Sequence, residues 1–319
     1  MRWLAAACAL LVLQAFPVPA APADRERLAI ATASLTGVYY GAGNAICRLM
    51  DLAPARTRLP CRIEETAGSG DNLGRLVNSS LNLGIAQSDV VLNTPTAAAA
   101  GVRVIGGLYP EVFHVVVRDW LREEDNREPS GIVFNIGIPG SGQRATTEDF
   151  FRVVGFDTRR FKAVLELDPA EQADAFCRRR IDAFTYVAGI PNTAVAMAIE
   201  RCGGRLRDFR RQTIGQYVRS NPATRFYRVR PNAYPSLDET YTTFASTALL
   251  LAAPSLSDRA VETLVLSLIE HAGRFRLMHP AFSEFSPQTL VTGVDPEMLH
   301  PVARHIYTQR SLLRGTGAK

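Results

Sequence analysis

The chain has 319 residues, and 47% of them are hydrophobic, so it can bury the core of one large domain or of two medium ones. Its formal charge of +5 comes from arginine, because Lys162 and Lys319 are the only lysines. The arginines are scattered, and the short cluster Arg178-Arg179-Arg180 has no interleaved aromatic residues, which argues against nucleic-acid binding.

The N-terminal segment has the pattern of a cleavable export signal. Arg2 precedes an apolar run over residues 3–16, and small residues end at Ala23. Cleavage near Ala23 leaves a mature chain that begins close to Asp24. No later run reaches the roughly 18 apolar residues of a membrane helix. We therefore expect an exported, soluble mature protein.

Three units of strand, turn and helix are predicted after the export signal. Short apolar runs predict strands over 28–31, 61–66 and 83–87. After the second strand, Ser69 or Asp71 can cap a helix, whose inner face we expect to carry Leu73, Leu76 and Val77. Each unit places a polar turn at the carboxyl end of a strand, which is where α/β sheets bind ligands.

Polar side chains follow each of these strands. Tyr39 or Tyr40 could cover a ligand, although at least one of the two is expected in the core. Ser69 is either a helix cap or, with Asn72, part of a ligand-binding edge. Gln87 ends the third strand, and a buried amide there needs a hydrogen-bond partner that a ligand could supply.

Two further β-rich runs, 102–108 and 112–117, come before a polar stretch over 118–130, which we interpret as a linker. His114 lies between apolar neighbours in the second run, so we interpret it as a core histidine. A second linker is predicted over 221–241, which is rich in Pro, Tyr and Asn.

The stretch 132–155 predicts a strand, a glycine-rich turn and a helix that Gly155 can close. The backbone N–H groups of the turn, the hydroxyl of Ser141 and the positive end of the helix dipole together suit a carboxylate. A tight turn without a ligand is the alternative. The turn has no lysine to reach a phosphate, and no GxSxG motif surrounds Ser69 or Ser141, so ATP binding and serine hydrolysis are disfavoured.

The same unit of strand, turn and helix recurs later in the chain. Strands are predicted over 163–167 and 181–186, with helices over 169–179 and 193–201. Gly189 lies in the last of these turns, where glycine lets a ligand approach the backbone closely. A strand over 248–252 and a helix over 257–276 follow.

Four cysteines remain after the export signal, and they fall into two pairs with short spacing, Cys47 with Cys61 and Cys177 with Cys202. An exported chain meets oxidising conditions, so we predict these two disulfides. Two other pairings and four buried free thiols are the alternatives. No CxxC or HExxH motif is present and the five histidines lie far apart, so we expect no metal site.

Five short motifs together resemble one protein family. In chain order they are Thr36 to Tyr40, Gly68-Ser69 with Asn72-Leu73, Gln87-Ser88-Asp89, Gly140 to Thr146 and Ile181 to Phe184. Over residues 24 to about 307, the chain is similar to the TAXI solute-binding proteins of tripartite ATP-independent periplasmic (TRAP) transporters. It departs from the family in a short segment after Asp89, at Arg178-Arg179 and at Ala67.

The resemblance implies an α/β protein with the type II fold of periplasmic binding proteins, in which two α/β lobes surround a ligand cleft. Residues 1–23 would be the signal peptide, 24–118 with 234–319 the first lobe, and 119–233 the second lobe. The implied protein is a periplasmic monomer without a cofactor. It binds a small carboxylate or dicarboxylate such as glutamate or 2-oxoglutarate and delivers it to TRAP membrane permease subunits.

The resemblance also implies a set of ligand-binding residues. They are Val38, Tyr39, Ser69, Asn72, Gln87, Ser88, Ser141, Gly142 and Gln143, with Gly189 opposite. Arg144 could pair with the ligand, point to solvent or bridge the lobes. A protein that presents its ligand to a membrane sensor kinase is the alternative function. A periplasmic enzyme is disfavoured, since no catalytic acid, base or nucleophile arrangement can be assembled.

Overall fold

One mixed sheet of ten strands runs through the described part of the chain. The computed structural model describes residues 26–54, 58–121, 129–235 and 237–313. The predicted export signal, residues 1–23, lies outside the described residues, as does much of the first predicted linker. Within the described ranges, no helix combines the length and the apolar character needed to cross a membrane.

Two groups of parallel strands are joined by two long antiparallel strands. The strands are β1 (Leu28–Ala31), β2 (Cys61–Glu64), β3 (Leu83–Gln87), β4 (Arg103–Arg118), β5 (Val133–Asn135), β6 (Ala163–Leu165), β7 (Ala183–Ala188), β8 (Gly204–Leu206), β9 (Arg225–Val229) and β10 (Tyr241–Ala252). Their order is β2-β1-β3-β10-β4-β7-β5-β6, with β8 beside β4 and β9 beside β10. β1 is parallel to β2 and β3, β5 is parallel to β6 and β7, and β4 is antiparallel to β10.

Helices follow most of the parallel strands. They are α1 (Val38–Asp51), α2 (Ser69–Val77), α3 (Ser88–Leu92), α4 (Pro95–Ala99), α5 (Gly142–Val154), α6 (Pro169–Cys177), α7 (Thr193–Arg201), α8 (Arg211–Ser220), α9 (Asp258–Glu270), α10 (Ala272–Met278) and α11 (Pro301–Gln309). α5 ends as predicted, because Gly155 takes the left-handed conformation with φ of 71°. The fold is thus α/β with repeated strand-turn-helix units.

The two α/β lobes have separate hydrophobic cores, and β4 and β10 contribute to both. Val104 of β4 and Leu250 of β10 lie in the core of the first lobe. Phe113 of β4 and Phe244 of β10 stack in the second lobe, with ring centroids 4.6 Å apart. The assignment of 24–118 with 234–319 to one lobe and 119–233 to the other stays a prediction.

β4 is one strand of 16 residues, whereas the sequence predicts two shorter runs separated around Pro110. Proline interrupts a central strand because it donates no backbone hydrogen bond. Here β4 pairs with β7 only from Val112 onward, so Pro110 lies before that pairing begins. The strand therefore continues through the proline and connects the lobes.

Three smaller predictions are wrong. The second predicted linker contains β9, which pairs with β10. The predicted helix over 257–276 is two helices, because His271 interrupts it with φ of −108° and ψ of 21°. Val77 is 40% exposed, since the buried face of α2 is set by Ser69, Asn72, Leu73 and Leu76.

Both predicted disulfides are present, one in each lobe. Cys47 of α1 bonds Cys61 at the start of β2, with Cα atoms 5.2 Å apart. Cys177 at the end of α6 bonds Cys202 after α7, with Cα atoms 4.9 Å apart. Each bond ties a helix to a neighbouring element, as expected of an exported protein.

His114 is a buried core histidine, as predicted. Its Nε2 lies 2.9 Å from the hydroxyl of Tyr234, and its Nδ1 lies 3.3 Å from the carbonyl oxygen of Tyr186. The ring nitrogens thus have one donor and one acceptor as partners, which suits the neutral form. Burial lowers the pKa of His114 to about 4.

We expect His114 to make the protein sensitive to acid. Its pKa lies near 6.5 in the unfolded chain and about 4 in the folded chain, so the unfolded state takes up a proton first as the pH falls. Between pH 6.5 and 4, His114 should lower the free energy of unfolding by about 3 kcal/mol. Urea unfolding across this range should show a shallower pH dependence in His114→Gln. The exposed control His305→Gln should keep the wild-type profile, and an unchanged slope in H114Q would contradict the assignment.

Candidate functional site

A small cavity of about 50 Å³ lies where α2 of the first lobe meets α5 of the second lobe. Seven of the ten predicted ligand-binding residues line it: Val38, Tyr39, Ser69, Gln87, Ser141, Gly142 and Gln143. By volume it holds roughly four water molecules. The structure therefore brings most of the predicted set together in a nearly closed cleft.

Two helix N-termini, one from each lobe, face the cavity. α2 begins at Ser69 after Gly68, whose φ of 111° favours glycine and which provides no side-chain cap. α5 begins at Gly142. Among the described residues, the backbone N–H groups of Ser69, Gly142 and Gln143 have no hydrogen-bond partner. Unpaired N–H groups and the positive ends of two helix dipoles at one point form a site for an anion.

Direct contacts between the lobes border the cavity. The carbonyl oxygen of Gly140, in the turn before α5, accepts hydrogen bonds from the backbone N–H groups of Gly70 at 2.9 Å and Asp71 at 3.2 Å. A Cβ on Gly70 would lie 2.9 Å from the same oxygen. Glycine at position 70 therefore lets the two backbones meet.

Gln87 is held by partners from both lobes. Its Nε2 donates to Thr146 Oγ1 of α5 at 2.8 Å and to Asp89 Oδ1 at 3.3 Å, and Thr146 donates to Asp89 Oδ2 at 2.5 Å. Burial raises the pKa of Asp89, and the hydrogen bonds from Thr146 and Gln87 lower it. Protein groups thus supply the partners that Gln87 was predicted to need, and its amide joins the lobes beside the cavity.

Glu111 lines the cavity, although the sequence gave no reason to select it as a ligand-binding residue. It lies on β4, is 3% exposed, and accepts a hydrogen bond from the Tyr39 hydroxyl at 2.6 Å. Burial raises the pKa of Glu111 well above its ordinary value, the bond from Tyr39 lowers it, and the charge of Asp89 raises it. The signal that could have found it is a lone carboxylate within an apolar strand.

Asn72, Ser88 and Gly189 do not line the cavity. Asn72 Nδ2 donates to the carbonyl oxygens of Thr32 at 2.6 Å and Ile85 at 2.7 Å, so its amide joins the ends of β1 and β3. Its Oδ1 accepts from Thr66 at 2.6 Å. These bonds give Asn72 a structural role.

Ser88 connects three segments. Its hydroxyl donates to the Ala223 carbonyl oxygen at 2.9 Å and accepts from the Thr247 N–H at 2.9 Å. Gly189 packs closely on other groups, because a Cβ there would lie 2.9 Å from Ala281 and 3.0 Å from the Tyr109 ring. Its glycine is explained by protein packing rather than by a ligand.

Ser141 and Arg144 are occupied within the second lobe. The Ser141 hydroxyl donates to the Ile138 carbonyl oxygen at 2.7 Å and accepts from the Arg144 N–H at 3.2 Å, so it caps α5. The Arg144 guanidinium pairs with Glu148 at 2.8 Å and also with Glu166. Arg144 does not line the cavity, so the anion site is built from backbone and neutral groups.

A larger cavity of about 330 Å³ lies inside the second lobe, but none of the predicted residues lines it. Its walls are mainly apolar and include Phe134, Phe150, Phe151 and Phe161. Among the described residues, no group of three or more His, Cys, Asp or Glu side chains could hold a metal ion. The polar cavity between the lobes is therefore the candidate site.

Solved structures with the same architecture define the class of this fold. A protein of Bordetella bronchiseptica is 13% identical, with a TM-score of 0.55 and coverage of 90% of this chain and 98% of the other. The zinc-bound ligand-binding component of an ABC-type import system from Staphylococcus aureus is 11% identical, with a TM-score of 0.51 and coverage of 91% and 93%. The periplasmic binding protein BugD is 10% identical, with a TM-score of 0.54 and coverage of 91% and 99%.

The fold is that of type II periplasmic solute-binding proteins, with two α/β lobes around a ligand cleft. This confirms the predicted fold class. The family model described as NMT1-like matches residues 30–310, so the chain belongs to the NMT1-like family.

Proposed function

We propose that this protein binds a small carboxylate or dicarboxylate in the periplasm and delivers it to the membrane subunits of a TRAP transporter. The observation that carries the proposal is the pair of helix N-termini from opposite lobes, whose unpaired N–H groups at Ser69, Gly142 and Gln143 surround one cavity. A carboxylate there would accept hydrogen bonds from both lobes at once. Binding would therefore stabilise the closed cleft.

The size of the cavity supports a mechanism of opening and closing. About 50 Å³ is too small for a glutamate-sized solute, so the lobes have to separate for entry. Opening breaks the bonds from Gly70 and Asp71 to Gly140 and the contact between Gln87 and Thr146. The ligand has to replace part of that contact energy when the cleft closes around it.

We propose binding without turnover. The cavity-lining residues include two serines, but no histidine, lysine or arginine lies among them to act as a base. Ser141 is occupied by the cap of α5, and Ser69 accepts a hydrogen bond from the Gln87 N–H at 3.2 Å. Neither hydroxyl is placed beside a base that would activate it.

The proposal predicts saturable binding of small carboxylates. Calorimetry on the purified mature chain should give a micromolar dissociation constant for at least one acid in a broad panel. At a ligand concentration a hundredfold above this constant, the free energy of unfolding should rise by about 2.7 kcal/mol. Absence of both heat and thermal shift across the panel would overturn the proposed function. Co-purification with TRAP membrane subunits tests the partner.

A further inference from the structure

One end of the cavity carries negative rather than positive character. Glu111 lies there with the aromatic rings of Tyr39 and Tyr186, and all three side chains are buried. Only one oxygen of the carboxyl group, Oε2, has a hydrogen bond from the protein, which comes from Tyr39. This end therefore differs in chemistry from the end formed by the two helix N-termini.

Glu111 has no cationic partner among the residues that line the cavity, since none of them is lysine, arginine or histidine. The nearby Asp89 is itself acidic and adds repulsion. A buried carboxylate without a cation or further donors is costly, by several kcal/mol in real proteins. A cation that enters with the ligand would remove this cost.

A second acceptor beside the cavity is also without a partner. Gln143 lines the cavity and is 4% exposed, and its Nε2 donates to Gln172 Oε1 at 3.0 Å. Its Oε1 is buried and has no hydrogen-bond partner among the described residues. Two acceptors and two aromatic rings around one space form an environment that suits an ammonium group.

We infer that the ligand is an amino acid, whose carboxylate binds at the N-termini of α2 and α5 and whose ammonium group binds Glu111. This inference rests on the proposed function and specifies its ligand class. A zwitterion matches both ends of the cavity. A dicarboxylate or 2-oxo acid without an amine would place an oxygen against Glu111, and two acceptors would then face each other.

Matched pairs of ligands test the inference on the wild-type protein. Each pair differs only in the amine: L-glutamate with 2-oxoglutarate, L-aspartate with oxaloacetate, L-alanine with pyruvate, and L-leucine with 4-methyl-2-oxopentanoate. In any pair that binds, calorimetry should show the amino acid binding at least tenfold more tightly. An oxo acid that binds as tightly as its partner or more tightly would overturn the inference and leave the proposed function standing. Absence of binding by any member would remove both.

Glu111→Gln provides the second test. It keeps an acceptor for the Tyr39 hydroxyl but removes the charge, so amino-acid affinity should fall at least 30-fold. Affinity for the matched oxo acid should stay the same or rise. Glu262→Gln, on the exposed face of α9, is the matched control and should bind both ligands as the wild type does. Equal losses for both members of a pair in a folded E111Q protein would contradict the ammonium site.

Discussion

Gly142→Ala is expected to lower ligand affinity about 100-fold while leaving both lobes folded. A Cβ at position 142 would lie 1.8 Å from Gln87 Oε1 and 2.6 Å from Ser69 Oγ. Gln87 is 2% exposed and is held by Thr146 and Asp89, so it has little room to move. The cleft would have to stay partly open. Loss of two or three contacts between the lobes, at about 1 kcal/mol each, corresponds to this change in affinity.

The matched control is Gly74→Ala. Gly74 is also a helical glycine, in α2, and a Cβ there would meet no atom within 4 Å. Both substitutions favour the helix by up to about 1 kcal/mol, so neither should lower the melting temperature of the free protein. Calorimetry should separate them, with weakened binding in G142A only. Wild-type affinity in G142A would show that the closed contact around Gln87 does not form in the complex.

Asn72→Ala is expected to lower the free energy of unfolding by about 3 kcal/mol, because it leaves the buried carbonyl oxygens of Thr32 and Ile85 without a donor. Asn72 is fully buried, so water cannot replace the lost amide without entering the core. The measurement is urea unfolding of the free protein. The resemblance predicts a different outcome for Asn72, since it makes this residue a ligand contact.

Asn93→Ala is the control for this experiment. Asn93 is exposed at the end of α3, so its loss should change stability by no more than about 0.5 kcal/mol. If N72A weakened ligand binding and left stability unchanged, the structural role of Asn72 would be wrong and the predicted ligand contact would be favoured.

Local patterns were enough to predict the units that form the cleft. The glycines before α5, the helical spacing after them and Gly155 at its end all act within a few residues, so the sequence predicts that helix and its role in facing a ligand. The two disulfides follow from short spacing as well. These features depend on neighbours along the chain.

The remaining features depend on residues far apart in the chain. Glu111 faces the cavity because β4 passes between the lobes, and no local pattern reveals where a strand residue points. Asn72 has the same position and chemistry as a ligand-binding residue, but its partners Thr32 and Ile85 come from two other strands. Gln87 likewise bonds to Thr146, which is 59 residues away. Such choices between a ligand and a protein partner require the tertiary structure.

The shared strands β4 and β10 also limit how this protein can be divided or recombined. Each strand belongs to both cores, so any cut between the lobes that passes through them leaves a fragment with an unpaired strand edge, which promotes aggregation. Chimaeras that exchange one lobe with a relative would have to exchange β4 and β10 as a pair. The two halves are therefore expected to change in concert, even though their ligand-facing turns are separate in sequence.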